Sequence, residues 1–203
     1  MAKPFIEESG NGFHTHYSLW KDGKNAFADG GKLNDTGKSF LAGLQKRMAE
    51  MALANSTTPN AYRRRQPYTF CPVNTAWGYD NRTVGLRVIE GKDNAVRIEK
   101  RDGSADCNPY YLLATEIAAG LDGIEQNMQV GEPCLGNAYE LEDAEGIPTD
   151  LPTAIELARG SDFMKDVIGE HRFEILAQQA ERELEFMANQ VTQVEIDRYM
   201  GNL

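Results

Sequence analysis

The chain has 203 residues, of which 41% are hydrophobic, so it is long enough and apolar enough to bury a sizeable core. Its formal net charge of −10 argues against a general nucleic-acid binder, because such proteins need a basic surface. No apolar run approaches the roughly 20 residues of a membrane span, and the three cysteines form no CxxC pair. We therefore expect a soluble, cytoplasmic protein with free thiols and neither a nucleic-acid nor a membrane partner.

Charge is unevenly distributed along the chain. Seven of the twelve arginines lie between positions 63 and 101, whereas fifteen acids and only five bases follow Tyr139. A basic segment within an acidic chain favours a small anionic ligand over a polyanion.

The segment 13–20 predicts an early strand. Side chains alternate between the two faces of a strand, which places Phe13, Thr15, Tyr17 and Leu19 on one face and His14, His16 and Ser18 on the other. A His-x-His pair on a strand fits a metal or phosphate site, but without further ligands the pair alone favours two ordinary half-buried histidines.

Helical periodicity predicts a helix over 37–54, with Thr36 as its N-cap. A second helix should begin at Asn108 as N-cap, with Pro109 at its first position. Gly120 of this helix should mark a close contact. The apolar residues predicted to form its buried face are Tyr110, Leu113, Ile117, Leu121 and Ile124.

The segment 81–101 predicts a β-hairpin, because two aliphatic strands flank a turn of Gly, Asp and Asn residues. Alternation places Arg97, Glu99 and Arg101 on one face, with Arg87 on the corresponding face of the first strand. Such a face is suited to binding anions, with one carboxylate available for a metal ion. The alternative is a solvated face of cross-strand ion pairs.

These elements predict an α+β fold, in which an antiparallel sheet is backed by the helices 37–54 and 108–127. A C-terminal helical layer should follow, with helices over 153–159, 162–168 and 172–190 and a last helix opened by a Thr192/Glu195 capping box. We divide the chain at 130, with sheet and helices in 1–130 and the helical part of the same domain in 131–203.

Several long motifs occur in a fixed order: SGNGFHTHYSL, LANSTTPNAYRRRQP, PVNTAWGYDNRTVGLRV and AVRIEKRDGSADCNPYYLLATEIAAGLDGI. Together they resemble the C-terminal part of the glutamine synthetase catalytic domain. The resemblance implies ATP-dependent ligation of the glutamate γ-carboxylate to ammonia or an amine through a γ-glutamyl phosphate.

The resemblance also implies roles for individual residues. His14 and Glu99 match ligands of a Mg²⁺ or Mn²⁺ ion, and His16 and Ser18 match ATP contacts. The remaining positions match residues that bind phosphates or glutamate: Arg82, Arg87 and Arg97 for the phosphates, Arg101 for the α-carboxylate, and Gly10 and Arg64 around glutamate and its phosphorylated intermediate. Of these, Arg82 and Arg64 are implied to be catalytic.

Two positions depart from the family pattern. In the run 67–72, Phe70 stands where the family has an acidic residue that helps to deprotonate ammonium, which favours an alkylamine or polyamine acceptor, as in the gamma-glutamylpolyamine synthetase branch. Ser9 replaces an asparagine expected before Gly10.

The resemblance begins partway into the family's catalytic domain, and the upstream part supplies the other metal ligands. We therefore expect a fragment, a split subunit or a truncated product that lacks ligase activity alone, and that acts as a homo-oligomer or with a complementing N-terminal half. Two alternatives are a non-catalytic glutamine synthetase-like chain that binds nucleotide or a partner, and a guanidino-kinase-like phosphotransferase.

Overall fold

A computed structural model describes residues 1–201. Its strands are β1 (Thr15–Tyr17), β2 (Trp20–Lys21), β3 (Lys24–Asn25), β4 (Ala28–Asp29), β5 (Lys32–Leu33), β6 (Trp77–Tyr79), β7 (Leu86–Ile89) and β8 (Arg97–Lys100). Its helices are α1 (Asp35–Arg47), α2 (Ala52–Asn55), α3 (Pro59–Tyr62), α4 (Pro109–Glu125), α5 (Leu151–Arg159), α6 (Asp162–Ile168), α7 (Glu170–Ala188) and α8 (Gln193–Tyr199). The predicted α+β class, with a sheet backed by helices, is confirmed.

The main sheet has the strand order β1-β8-β7-β6, and β2/β3 and β4/β5 form two small ribbons. The predicted hairpin is present as β7 and β8, which pair antiparallel, as do β1 and β8. The sheet is not wholly antiparallel, because β6 pairs parallel to β7. The loop 80–85 returns the chain to the start of β6, where the amides of Gly85 and Leu86 both donate to the carbonyl of Ala76.

Helix α1 begins earlier than predicted. Its N-cap is Asn34 rather than Thr36, and the Asn34 side chain accepts a hydrogen bond of 3.0 Å from the amide of Gly37. The predicted helix over 37–54 is divided into α1 and α2. Helix α1 packs closely on α4, since a Cβ atom on Gly43 would lie 2.0 Å from the carbonyl oxygen of Ala119.

Helix α4 begins as predicted, at Pro109 after the N-cap Asn108, and Gly120 meets the ring of Phe40. Its predicted buried face, however, is wrong for four of the five residues; the fifth, Ile124, is half-buried and packs against the hydrophobic core. The residues Tyr110, Leu113, Ile117 and Leu121, which we call the α4 stripe, are 82%, 37%, 44% and 42% exposed. The helix instead buries Leu112 and a set of small and polar residues, Thr115, Glu116, Ala119, Gly120 and Gly123. The small residues of this face let the α1 backbone approach closely.

The C-terminal helical layer is present, and the capping box between Thr192 and Glu195 forms as predicted. Buried side chains of α5, α6 and α7 belong to the same hydrophobic core as those of α1 and the sheet. The division at residue 130 stays a prediction. Across residues 1–201, no helix is both long and apolar enough to span a membrane.

Candidate active site

A cavity of about 370 Å³ opens beside the main sheet. It collects seven of the ten predicted site residues on its lining: Gly10, His14, Arg64, Arg82, Arg87, Glu99 and Arg101. The other three, His16, Ser18 and Arg97, lie outside this lining.

Strand alternation and register explain why residues far apart in sequence meet here. His16 is paired with Glu99 between β1 and β8, and Arg87 is paired with Glu99 between β7 and β8. Paired residues on adjacent antiparallel strands project to the same face of a sheet. His16, Glu99 and Arg87 therefore form a row across three strands, and His14 and Arg101 lie on the same face two residues away along their strands.

Glu99 is the centre of the site, and its side chain is almost fully buried. Its Oε1 lies 2.8 Å from Nη1 of Arg101 and 3.2 Å from Nδ1 of His14, and its Oε2 lies 3.1 Å from Nη1 of Arg87. Burial opposes ionisation of this carboxyl. The hydrogen bond with His14 and the nearby charges of Arg101 and Arg87 outweigh burial, however, and hold its pKa well below the usual range.

Two buried arginines form one wall of the cavity. Arg64 is 3% exposed and donates from Nη1 to the carbonyl of Gly103 at 2.9 Å, while Arg101 donates from Nη2 to the carbonyl of Phe70 at 3.3 Å. Gly10 allows Arg64 to lie against the backbone, because a Cβ atom there would be 2.5 Å from Cγ of Arg64. The Nε atoms of Arg87 and Arg101 are buried and have no hydrogen-bond partner within residues 1–201.

Arg82 differs from these anchored arginines. It lines the cavity from the loop between β6 and β7, its side chain is exposed, and it makes no hydrogen bond or ion pair with the residues that the structure describes. The guanidinium of Arg82 is therefore free to contact a ligand without first breaking an ion pair.

The three predicted residues outside the cavity lie on and after β1 and on β8. Nε of Arg97 is 3.4 Å from Nδ1 of His16, and Nη1 of Arg97 donates to the carbonyl of Ala95 at 2.8 Å. The hydroxyl of Ser18 accepts a hydrogen bond of 2.9 Å from Nε1 of Trp20. Burial lowers the pKa of His16, and the charge of Arg97 lowers it further, against the opposing effect of the Glu99 carboxylate.

Three residues of the loop 67–72, Thr69, Phe70 and Cys71, line the cavity. Tyr68 and Phe70 have positive φ values of 65° and 58°, which are uncommon for residues other than glycine. Tyr68 packs on Tyr139 with a ring distance of 5.4 Å, and Phe70 lines the cavity while remaining 61% exposed. The loop thus presents an aromatic ring to the cavity.

The metal prediction is only partly supported by the donor set. His14 and Glu99 are adjacent, and Nε2 of His16 lies 3.8 Å from Oε1 of Glu99. Yet no group of three or more His, Cys, Asp or Glu side chains in residues 1–201 is arranged to hold a metal ion. Both oxygens of Glu99 are already paired with arginines, so these residues alone do not complete a metal site.

A second set of charges was not predicted. Lys100, Asp102 and Glu116, which we call the buried charge network, are at most 1% exposed on the opposite face of the sheet from Glu99. The sequence held a signal for it, because strand alternation puts Lys100 on the same side as the aliphatic Ile98. Burial raises the pKa of Glu116, whereas Asp102, despite burial, has its pKa lowered by the charge of Lys100.

The three arginines of the run 63–65 lie in three different environments. Arg63 is exposed, Arg64 reaches the cavity, and Arg65 is buried in the core, where its guanidinium stacks at 4.7 Å over the ring of Tyr62. Only the middle arginine of the run therefore contributes to the site.

Comparison with known proteins gives consistent matches over nearly the whole chain. Residues 1–199 match the model of the glutamine synthetase catalytic domain. The chain is 41% identical over 199 residues to the gamma-glutamylethanolamide synthetase GlnA4 of Streptomyces coelicolor, a match that covers 98% of this chain and 42% of that protein. It is 34% identical to the glutamine synthetase of Methanosarcina mazei, covering 100% of this chain and 48% of that protein.

Among solved structures, the chain is similar to that of the GmaS/ADP complex, with a TM-score of 0.88 and 29% identity over 99% of this chain and 48% of that one. Ligand-free GmaS matches with a TM-score of 0.86 and 30% identity, covering 98% of this chain and 47% of that one. This chain therefore spans a little under half the length of the relatives it matches.

Proposed function

The chain belongs to the glutamine synthetase family, and from this premise we propose that it is part of an ATP-dependent ligase that joins the γ-carboxylate of glutamate to an amine. In the proposed reaction, the γ-phosphoryl group of ATP is transferred to the γ-carboxylate of glutamate, which gives γ-glutamyl phosphate and releases ADP. The amine then attacks the activated carbonyl and displaces phosphate.

The convergence of four arginines on one cavity supports this proposal most strongly. Arg64 and Arg101 are held by backbone carbonyls and are suited to fix a carboxylate in one orientation. Arg87 is suited to bind nucleotide phosphates, as is Arg97 outside the cavity. Arg82 is the exposed guanidinium, which we assign to the phosphoryl group as charge develops during its transfer.

We propose that His14 and Glu99 contribute two ligands to a Mg²⁺ or Mn²⁺ site that is completed by polypeptide outside this chain. His16 and Ser18 are proposed to contact ATP. Because the ligand set within residues 1–201 is incomplete, we expect the 203-residue chain to have no ligase activity alone. The homo-oligomer, the complementing N-terminal half and the cytoplasmic location stay predictions.

The acceptor is proposed to be an alkylamine or polyamine rather than ammonia. Phe70 presents a phenyl ring where ammonium would need a carboxylate, and Glu99, the carboxylate on the cavity lining, is paired with two arginines. One relative is named for a gamma-glutamylethanolamide, the amide of a small amine. In an assembly competent for ligation, Phe70→Glu should raise the kcat/KM for ammonia relative to that for the amine.

Calorimetric titration with Mg-ATP and Mg-ADP tests the nucleotide site. We expect binding by the purified chain that is weakened at least tenfold by Arg87→Ala and left unchanged by the control Arg159→Ala, because Arg159 pairs with Glu174 and Glu181 in the helical layer. A folded chain that binds neither nucleotide would contradict the proposal. Ligase activity in the purified chain would contradict the expectation that it is inactive alone.

The second candidate is a non-catalytic, nucleotide-binding or partner-binding chain. The incomplete metal ligand set favours it. Nucleotide binding without ligation, even after mixing with an N-terminal half from a relative, would support this second function.

A further inference from the structure

The buried charge network lies directly behind the candidate site. Nζ of Lys100 is ion-paired with Asp102 and lies 3.1 Å from Oε1 of Glu116. Removing three charges from water is costly, and apolar residues of similar volume often stabilise a fold as well or better. Stability alone is therefore a weak explanation for the network.

The hydrogen bonds of the network connect four elements. The hydroxyls of Thr15 and Tyr17, both on β1, donate to Oε2 of Glu116 on α4, each at 2.6 Å. The amide of Asn55 on α2 donates to Oδ2 of Asp102 at 3.0 Å. Glu116 therefore accepts hydrogen bonds from β1 through one oxygen and pairs with Lys100 of β8 through the other.

Network residues alternate with site residues along both strands. On β1 and just before it the order is His14, Thr15, His16, Tyr17, and from β8 onward it is Glu99, Lys100, Arg101, Asp102. Thr15 is paired with Lys100 across the strands, and the next pair is His16 with Glu99. Fixing the network side of this pair of strands thus fixes the site side as well.

Strand β1 is attached to the main sheet over few residues. It is an edge strand of three residues that pairs only with β8 in the main sheet of residues 1–201. Before β1 the pairing continues as an isolated bridge between Gly12 and Ser104. A slip of one residue in β1 would turn both histidines away from the site, because successive side chains point to opposite faces.

We propose that Lys100, Asp102 and Glu116 are positioning residues, which hold β1 in register with β8 and thereby set the contact between His14 and Glu99. The network touches none of the cavity-lining arginines through a hydrogen bond or ion pair in residues 1–201, so it acts through strand geometry. This deepens the proposed function, but the geometry can be tested without any ligand.

The three histidines of the chain allow a direct test by NMR of ¹⁵N-labelled imidazoles at one fixed pH. His14 and His16 report on the site, and His171, which is exposed on α7, is the internal reference. Glu116→Gln preserves the side-chain volume but removes the charge that Lys100 contacts. We expect it to move the His14 and His16 signals and leave the His171 signal in place.

Two further variants separate positioning from stability. Phe173→Leu, in the buried part of α7, should lower Tm without moving any histidine signal. The combined variant Lys100→Met, Asp102→Asn and Glu116→Leu replaces the network by less polar side chains. We expect it to keep a cooperative unfolding transition while moving the His14 and His16 signals.

The proposal is overturned if either network variant is folded and keeps the His14 and His16 signals of the wild type. It is also overturned if Phe173→Leu moves those signals as far as Glu116→Gln does. Because neither nucleotide nor glutamate is present, these results are independent of whether the ligase function is correct.

Discussion

Replacing Glu99 by Gln removes the negative charge that Arg87 and Arg101 share and that contacts His14, while Arg87 keeps its second ion pair, with Asp80. Glu99 and Arg101 are each 4% exposed, so the variant leaves a buried guanidinium without a counter-ion. Breaking a buried pair in this way costs about 3–5 kcal/mol. The cavity admits solvent on one side, so we expect a loss of about 3 kcal/mol in the free energy of unfolding.

Urea unfolding measures this loss. With an m-value of about 2 kcal/mol/M, the midpoint should fall by about 1.5 M. The control is Glu174→Gln, whose carboxylate pairs with Arg159 on the solvated surface and should shift the midpoint little. Added phosphate should restore more stability to Glu99→Gln than to the wild type, since Arg101, released from its carboxylate partner, can bind the anion. Equal midpoints for wild type and Glu99→Gln would refute this account of the site.

Three further predictions concern pH, packing and the core arginine. The pKa of Glu99 is lower in the folded than in the unfolded state, so its stabilising contribution should be fully present above about pH 4.3 and be lost as the pH falls towards the folded-state pKa. The difference in urea midpoint between the wild type and Glu99→Gln should therefore shrink between about pH 6 and pH 3. Gly43→Ala should lower the free energy of unfolding by about 1–3 kcal/mol, because the added methyl group would overlap the α4 backbone. The control Gly136→Ala, which has open space around it, should change the free energy by less than about 0.5 kcal/mol. Thermal unfolding of both variants measures the difference. Arg65→Lys should lower the free energy of unfolding, measured by chemical denaturation, by about 1.5–3 kcal/mol, because lysine lacks the planar guanidinium that hydrogen-bonds Ser56 and stacks on the ring of Tyr62. The control Arg63→Lys, at the exposed surface, should leave it unchanged.

The elements that sequence predicted best are those with local signals. The Asn108-Pro109 start of α4 and the capping box that opens α8 depend on neighbouring residues only, and both occur as predicted. The orientation of α4 was not predictable in this way. Its large apolar side chains have helical spacing, but the face chosen for burial depends on how closely α1 can approach Gly43 and Gly123.

The sequence allowed the residues of the candidate site to be predicted, but not all of the side-chain contacts between residues on different elements. Alternation along β8 predicted that Glu99 and Arg101 share a face, and their 2.8 Å contact lies on that face. The same rule could have placed Lys100 in the core. The partner of Lys100 could not be found from a single sequence, because Glu116 lies on a helix 16 residues further along the chain, outside the face predicted to be buried.

The α4 stripe affects how the stability of this chain has to be measured. Four large apolar side chains in line on one helix form the kind of surface that associates with other molecules. Any molecule that covers the stripe in the folded state, and not in the unfolded state, stabilises the fold by mass action. The Tm of different samples should therefore be compared at one protein concentration and one content of additives. For this chain, thermal stability is a property of the solution as well as of the molecule.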